Sequence, residues 1–279
     1  MSNSNPIQKA YIVSGGLPRI VTSDLAWVGG CSNSAGWPGR ENQRPITHEP
    51  CAAFVILGSK KTLMLDTGHF GLWYSLEGQL EQVLNGRTLD YVFPSHQEIP
   101  HSGNLGRLLE KYPNAQAVGD VRDYHLFHPE IPLNRLVQKR HGESIDLGDR
   151  EFVFLNAIWK DLSGTMWGYD TKLKLLFTAD GFGHIHSLAD NVCGTMPHEM
   201  SAAQFKAISD RPALPFTGMR QRDQHKRVAA FENLMKKYPL EIIVSGHCGP
   251  IMGTALQPII EKLMNTIGMT NIGPKYLQS

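Results

Sequence analysis

No two cysteines in this chain stand close enough to form a C-x-x-C pair. Cys31, Cys51, Cys193 and Cys248 are scattered along 279 residues, which argues against a zinc knuckle and a disulfide framework and predicts buried, reduced thiols. Nor is there an apolar run near the ~18 residues of a membrane span, or a basic stretch leading into an apolar one between Met1 and Pro6. Charge of one sign is missing too. The net charge is +1, and Lys and Arg gather nowhere beyond Lys236-Lys237, so neither a nucleic-acid surface nor a membrane surface is expected. Linkers and short repeats are likewise absent. These absences predict one soluble, cytoplasmic domain over residues 1–279, whose 41% apolar content suffices for a sizeable core.

What the chain does contain is a compact set of donors at Pro94-Ser95-His96-Gln97-Glu98-Ile99-Pro100-His101-Ser102-Gly103. The apolar run Leu89–Phe93 reads as a short buried strand, and residues 103–112 carry Leu105, Leu108 and Leu109 at helical spacing. His96, Glu98 and His101 therefore fall on a loop at the carboxyl end of a strand, where α/β proteins usually place chemistry. Imidazole suits zinc, iron and manganese, and a glutamate among the donors hardens the set towards iron or manganese.

The same context recurs along the chain. A hairpin over Phe54–Leu65 runs into Asp66-Thr67-Gly68-His69, and Lys174–Thr178 ends at Ala179-Asp180-Gly181. The strand Glu241–Val244 ends at Ser245-Gly246-His247, and Asp161 follows Trp159-Lys160 after the strand Glu151–Leu155. Chance would scatter His and Asp over helices and surfaces as well. His125, His128, His141, His198 and His225 lie in loops or polar helical stretches and are assigned no role, while His69, His184 and His186 are candidate supporting or substrate contacts. Residues 7–29 read as two or three edge strands. Residues 31–50 read as one long loop, residues 76–84 and 226–237 as helices, and the partly apolar tail 259–276 as a surface for a homo- or hetero-oligomeric neighbour.

Together Leu65–Gly68, His96–Leu105, Lys111–Ala115, Asp161 with Ser163–Met166, Leu176–Gly183 and His247–Ile251 resemble the metallo-β-lactamase superfamily. Within it they are most similar to the branch of flavodiiron and oxygen-binding diiron proteins. That resemblance implies an α/β fold, a four-layer αββα sandwich with a metal pair in a cleft at one edge of the two sheets. Carried across by motif, it implies a first metal on His96, Glu98 and Asp161, a second on His101 and His247, and Asp180 bridging them. Two departures stand out: Pro100 replaces an expected aspartate ligand, and Asp161 replaces an expected histidine. The resulting donors favour two iron ions, with manganese or zinc as alternatives, and Asp66 is placed to orient an imidazole such as His101.

Two chemistries fit such a centre. A metal-bound water whose pKa falls from 15.7 to roughly 7 could attack a small aromatic or apolar ester, lactone, thioester or activated aryl ether. A reduced iron pair could instead bind or reduce dioxygen or nitric oxide, as the resemblance implies. The residues after Met252 carry no flavin-phosphate loop, and there is no cysteine quartet for a rubredoxin centre, so reduction needs a separate donor protein. The altered ligands favour hydrolysis, with Asp66 and Asp180 as catalytic groups. Of Trp37, Trp73, Tyr74, Trp159, Trp167 and Phe182, near the expected strand-end loops, two or three are expected to wall the substrate pocket and the rest to be core. A noncatalytic oxygen or metal sensor, or a subunit of an assembly, is the third possibility.

Overall fold

The computed structural model describes residues 12–13, 15–33, 47–160, 162–210 and 225–269. Asp161 and Trp37 lie outside the described residues, as do 34–46 and 270–279. Strands β1 (Ile12–Val13), β2 (Arg19–Thr22), β3 (Leu25–Asn33), β4 (Thr47–Leu57), β5 (Thr62–Leu65), β6 (Tyr91–Phe93), β7 (Gln116–Gly119) and β8 (Leu136–Gln138) build the first sheet. Next come β9 (Ser144–Asp146), β10 (Glu151–Asn156), β11 (Met166–Asp170) and β12 (Leu175–Phe177), then β13 (His186–Ser187), β14 (Ile242–Ser245) and β15 (Cys248–Met252). The first sheet runs β1-β3-β4-β5-β6-β7-β8, with β2 on β3 and β13 on β4, and the second runs β15-β14-β12-β11-β10-β9.

Alternation along each strand decides how the sheets stack, because successive side chains leave on opposite faces. Phe54 and Ile56 of β4, Leu63 and Leu65 of β5, and Phe93 of β6 point into one core together with Phe152 and Phe154 of β10, Phe177 of β12 and Val244 of β14. Phe93 meets Phe152, Phe154 and Phe177 edge-on, with centroids 5.7, 5.1 and 5.7 Å away. Such rings prefer this geometry, and each buried aromatic contributes ~1.5–3 kcal/mol. The intervening residues face outward. Val55 and Met64 pack under helices α1 (Trp73–Leu84) and α3 (Leu105–Lys111). On the other sheet, Leu155, Leu176 and Ile243 pack under α6 (His225–Lys237) and α7 (Leu256–Met269). Helices therefore cover both outer faces, giving the αββα sandwich. The remaining short helices are α2 (Ile99–Ser102), α4 (Tyr124–Phe127) and α5 (Ala202–Ser209).

Several expectations need correction. The expected long loop 31–50 is ladder at both ends: β3 reaches Asn33 and β4 starts at Thr47, with Asn33 opposite His48. Polar residues stay in register there because β13 pairs with the other edge of β4, matching His186 to His48. The tail is no free surface within its described part, since Ile260 and Leu263 are buried in the helix-covered core of the second sheet. A charged clamp fastens the sheets at one edge. Arg150 reaches Asp24, in the β2–β3 turn, at 2.6 Å and Asp149 at 2.9 Å, and Lys172 contacts both carboxylates at 2.7 Å.

Candidate metal centre

Four strands end at the same place. β5 and β6 run parallel, as do β12 and β14, so their carboxyl ends bring Asp66, the 94–101 loop, Asp180 and His247 to one end of the sandwich. Two of these turns adopt left-handed backbone at non-glycine residues, Asp66 (φ 55°) and Ala179 (φ 52°). Strain of this kind costs about 1–3 kcal/mol and persists only where neighbours over-determine it. At Ala179 the restraints are visible: its carbonyl accepts from Ser245 Oγ (2.6 Å) and Gly246 N (2.8 Å). On the first sheet, the buried Asn104 side chain donates to the carbonyls of Thr67, Gly68 and His69. Pro100 sits in the first turn of α2, where a missing N–H costs nothing.

At the centre is Asp180, 2% exposed. Its Oδ1 lies 2.9 Å from His101 Nε2 and 3.1 Å from His247 Nε2, and its Oδ2 lies 3.6 Å from His96 Nε2. Glu98, the exposed member, places Oε2 3.7 Å from His96 Nε2. The donor atoms fall into two groups that share one imidazole: His96, Glu98 and His101, and His101, Asp180 and His247, each within 4.8 Å of one another. Asp161 lies outside the described residues.

The far side of each ring is held as well. Asp66 Oδ2 is 2.6 Å from His101 Nδ1 and Asp66 Oδ1 accepts from Ser95 N at 2.8 Å. His247 Nδ1 donates to the Pro50 carbonyl at 2.9 Å, with Glu49 Oε1 at 3.4 Å. With both Nδ1 atoms facing acceptors, His101 Nε2 and His247 Nε2 stand 3.2 Å apart and both face Asp180 Oδ1. Two neutral rings would set lone pair against lone pair there, so the arrangement calls for a proton or a metal cation among these three groups. The protonation behaviour reports the same field. Burial works against a charged His101, yet Asp66 and Asp180 raise its pKa well above the ordinary histidine value. Burial also opposes charge on His247, and Glu49 and Asp180 outweigh it. The present residues therefore fit a cation held by nitrogen and oxygen donors.

Sequence reasoning missed Ser95, whose hydroxyl lies 3.1 Å from His96 Nδ1 and 3.3 Å from His101 Nδ1. It also missed Glu49 and Pro50, which carried no motif signal because they sit inside the stretch read as loop. Among the described residues the expected aromatic wall is not there. Trp159, Trp167 and Phe182 pack on Phe231 in the core of the second sheet. Tyr74 is exposed, and Trp73 lies beneath the Arg107 guanidinium. His184 is buried, with its pKa pushed down to about 3 by that burial, and its backbone N–H donates to the His247 carbonyl.

A family model described as "ODP family beta lactamase" matches residues 50–210, the span that carries Asp66, His96, Glu98, His101 and Asp180. The chain belongs to that family. This ODP-family chain is 32% identical over 221 residues, 76% of its length, to "Putative diflavin flavoprotein A 1" of Thermosynechococcus vestitus, and covers 36% of that relative. It is 27% identical over 174 residues, 60% of its length, to "Nitric oxide reductase" of Moorella thermoacetica, covering 42% of it. The rubredoxin oxygen:oxidoreductase of Desulfovibrio gigas superposes with a TM-score of 0.68 over 90% of this chain and 61% of the other, at 17% identity. The ODP-family chain thus spans about a third of the length of the first of these relatives, and it matches the metal domain of the flavodiiron branch. One expectation falls here. The Moorella thermoacetica relative is named for nitric oxide reduction and none of the three is named as a hydrolase, so hydrolysis is not supported. Among the described residues, no helix is long and apolar enough to cross a membrane.

Proposed function

We propose that this chain is a diiron oxidoreductase domain that binds and reduces a diatomic oxidant, dioxygen or nitric oxide, with electrons delivered from outside this metal domain. One observation carries the reading: Asp180 stands between His96 on one side and His101 and His247 on the other, with the Nε2 atoms of those last two imidazoles converging on it. The names of the relatives supply the direction, reduction rather than hydrolysis.

In this reading His96 and Glu98, with Asp161 by motif, would hold one ion, His101 and His247 would hold the other, and Asp180 would be a donor available to either. Bound there, a reduced iron pair supplies electrons and exchangeable coordination positions. The chain's own residues set the conditions. Asp66 fixes the His101 tautomer and raises its basicity, and the Pro50 carbonyl does the same for His247. Pro100 offers no donor side chain where the resemblance implies an aspartate, so it would leave the centre one protein donor fewer. Burial of His96, His101, Asp180 and His247 leaves the exposed Glu98 on the solvent side. Converting dioxygen to two waters takes four electrons and four protons; joining two nitric oxide molecules as nitrous oxide and water takes two of each. Both demands point to an external electron supply.

Anaerobic reduction of the iron-loaded full chain, followed by addition of dioxygen or nitric oxide, tests the proposal. Expected are a change in the optical spectrum and, with a reductant present, consumption of the gas. His96→Ala and Asp180→Ala should each lose iron and activity. His125→Ala should keep both, because that ring is exposed with Nδ1 on the Arg122 carbonyl. Equal iron content in all three variants, or iron that responds to neither gas, sinks the assignment.

A further inference from the structure

A second group of donors gathers beside the first, from segments that no motif connects. Cys31 on β3, His186 on β13 and Cys193 place Cys31 Sγ, His186 Nε2 and Cys193 Sγ within 4.8 Å of one another. His186 Nε2 is 3.1 Å from Cys193 Sγ and 3.9 Å from Cys31 Sγ. His48 on β4 brings Nδ1 to 3.3 Å from Cys193 Sγ on another side. Cys31, His48 and His186 are buried, while Cys193 is half-buried. We propose that Cys31, Cys193 and His186 form a separate site for a thiophilic divalent cation, zinc above others, with His48 donating a hydrogen bond to the Cys193 sulfur and the fourth position facing solvent.

Geometry and donor chemistry both support this. With Zn–S near 2.3 Å and Zn–N near 2.0–2.1 Å, a tetrahedral S···N edge is about 3.6 Å. The two observed S···N separations of 3.1 and 3.9 Å bracket that edge, so a small adjustment of side chains admits the ion. Soft sulfur paired with imidazole selects zinc, whereas the nitrogen and oxygen donors around Asp180 select harder ions. One three-sided cluster of two thiols and an imidazole is an unusual filling for a sheet edge, where apolar side chains would pack more tightly. Its framework is rigid: β3 and β13 flank β4, with Cys31 opposite Pro50 and His186 opposite His48. The strand residues that follow His48, Glu49 and Pro50, hold the back of His247. Occupancy of the sulfur site therefore stiffens the segment that orients an imidazole of the other centre.

Cobalt titration of the full chain, freed of metal and kept reduced and anaerobic, is the test. Thiolate-to-cobalt charge-transfer absorption is diagnostic, because the donors around Asp180 include no sulfur. The proposal expects that absorption in the wild type, with a final amplitude of one sulfur-bound cobalt per chain and displacement by zinc. It expects loss in Cys31→Ser and in Cys193→Ser, and retention in Cys51→Ala. Should a serine variant fail to fold, alkylation of wild-type Cys193 gives a second reading: zinc must protect it, as followed by peptide mass. No thiolate band in the wild type, or a band that survives both serine changes, overturns the site. So does alkylation of Cys193 unaffected by zinc, or a Cys31–Cys193 disulfide in protein purified without oxygen. Because these readouts need no gas reduction, they stand or fall independently of the reading of the first centre.

Discussion

Replacing Asp66 by asparagine probes the centre with almost no change of shape. Asp66 is fully buried and uses both oxygens, Oδ2 towards His101 Nδ1 at 2.6 Å and Oδ1 from Ser95 N at 2.8 Å. An amide offers one acceptor, so one of those N–H groups must face an NH2. If the amide oxygen stays on Ser95, the His101 ring loses its charge-assisted partner, a loss of about 1.5–3 kcal/mol. At 1.4 kcal/mol per tenfold change in affinity, that corresponds to roughly 10–100-fold weaker metal binding, the range typical when the partner of a ligating histidine is removed. The assay is competition for cobalt or iron between the full chain and a chelator of known affinity, with circular dichroism and a urea midpoint run in parallel. Weakened binding by a chain that keeps its secondary structure is expected. Unaltered affinity in a folded Asp66→Asn protein would refute the claim that Asp66 works through His101.

Three other perturbations test separate parts of the structure. Gly246→Ala would set a methyl 2.6 Å from His101 Cε1 and 2.9 Å from Asp66 Oδ2; we expect lost metal and an overpacking cost of about 1–3 kcal/mol, and metal analysis of the folded variant showing full loading would count against it. Phe93→Ala removes the ring packed edge-on to three phenylalanines and should lower unfolding free energy by ~3–5 kcal/mol, measured by urea denaturation. The clamp between the sheets predicts a pH effect. Lys172 and Arg150 hold the Asp24 carboxyl down to about 2, below the roughly 3.9 of an unfolded chain, so its contribution is complete above pH ~4 and fades as pH falls towards ~2. In Asp24→Asn the urea midpoint should therefore lie below wild type at pH 6, and the gap should narrow through that acid window.

The sandwich was legible because its strands obey a period of two and end in recognisable turns: Leu63 and Leu65 face one core, Met64 the other, and Asp66 follows at once. His96, Asp180 and His247 were legible by the same logic, each following an apolar strand. Cys31, His48, His186 and Cys193 were not, because what unites them is the pairing of β4 with β3 on one side and β13 on the other, and no local pattern records a partner so distant along the chain. The aromatics misled for a related reason. Trp159 and Trp167 lie close in sequence to site loops, but alternation along β11 turns Trp167 to the helix-covered face, and Trp159, just beyond β10, packs beside it under Phe231. Choosing hydrolysis over reduction failed at another level. The same imidazoles and carboxylates serve a bound hydroxide or an iron pair, so side-chain identity alone does not separate the two chemistries.

The position of β14 decides when the full set of donors can come together. Asp66, His96, His101 and Asp180 emerge from the ribosome well before His247, which arrives on the last hairpin and reaches the others only when β14 aligns with β12. Until that docking step the cradle has one wall missing, and its carboxylates and imidazoles stand open to whichever cation the cell offers. A cation gripped by His247 together with the other donors would therefore require this hairpin to be in place, and a chain with β14 displaced from β12 would offer one imidazole fewer.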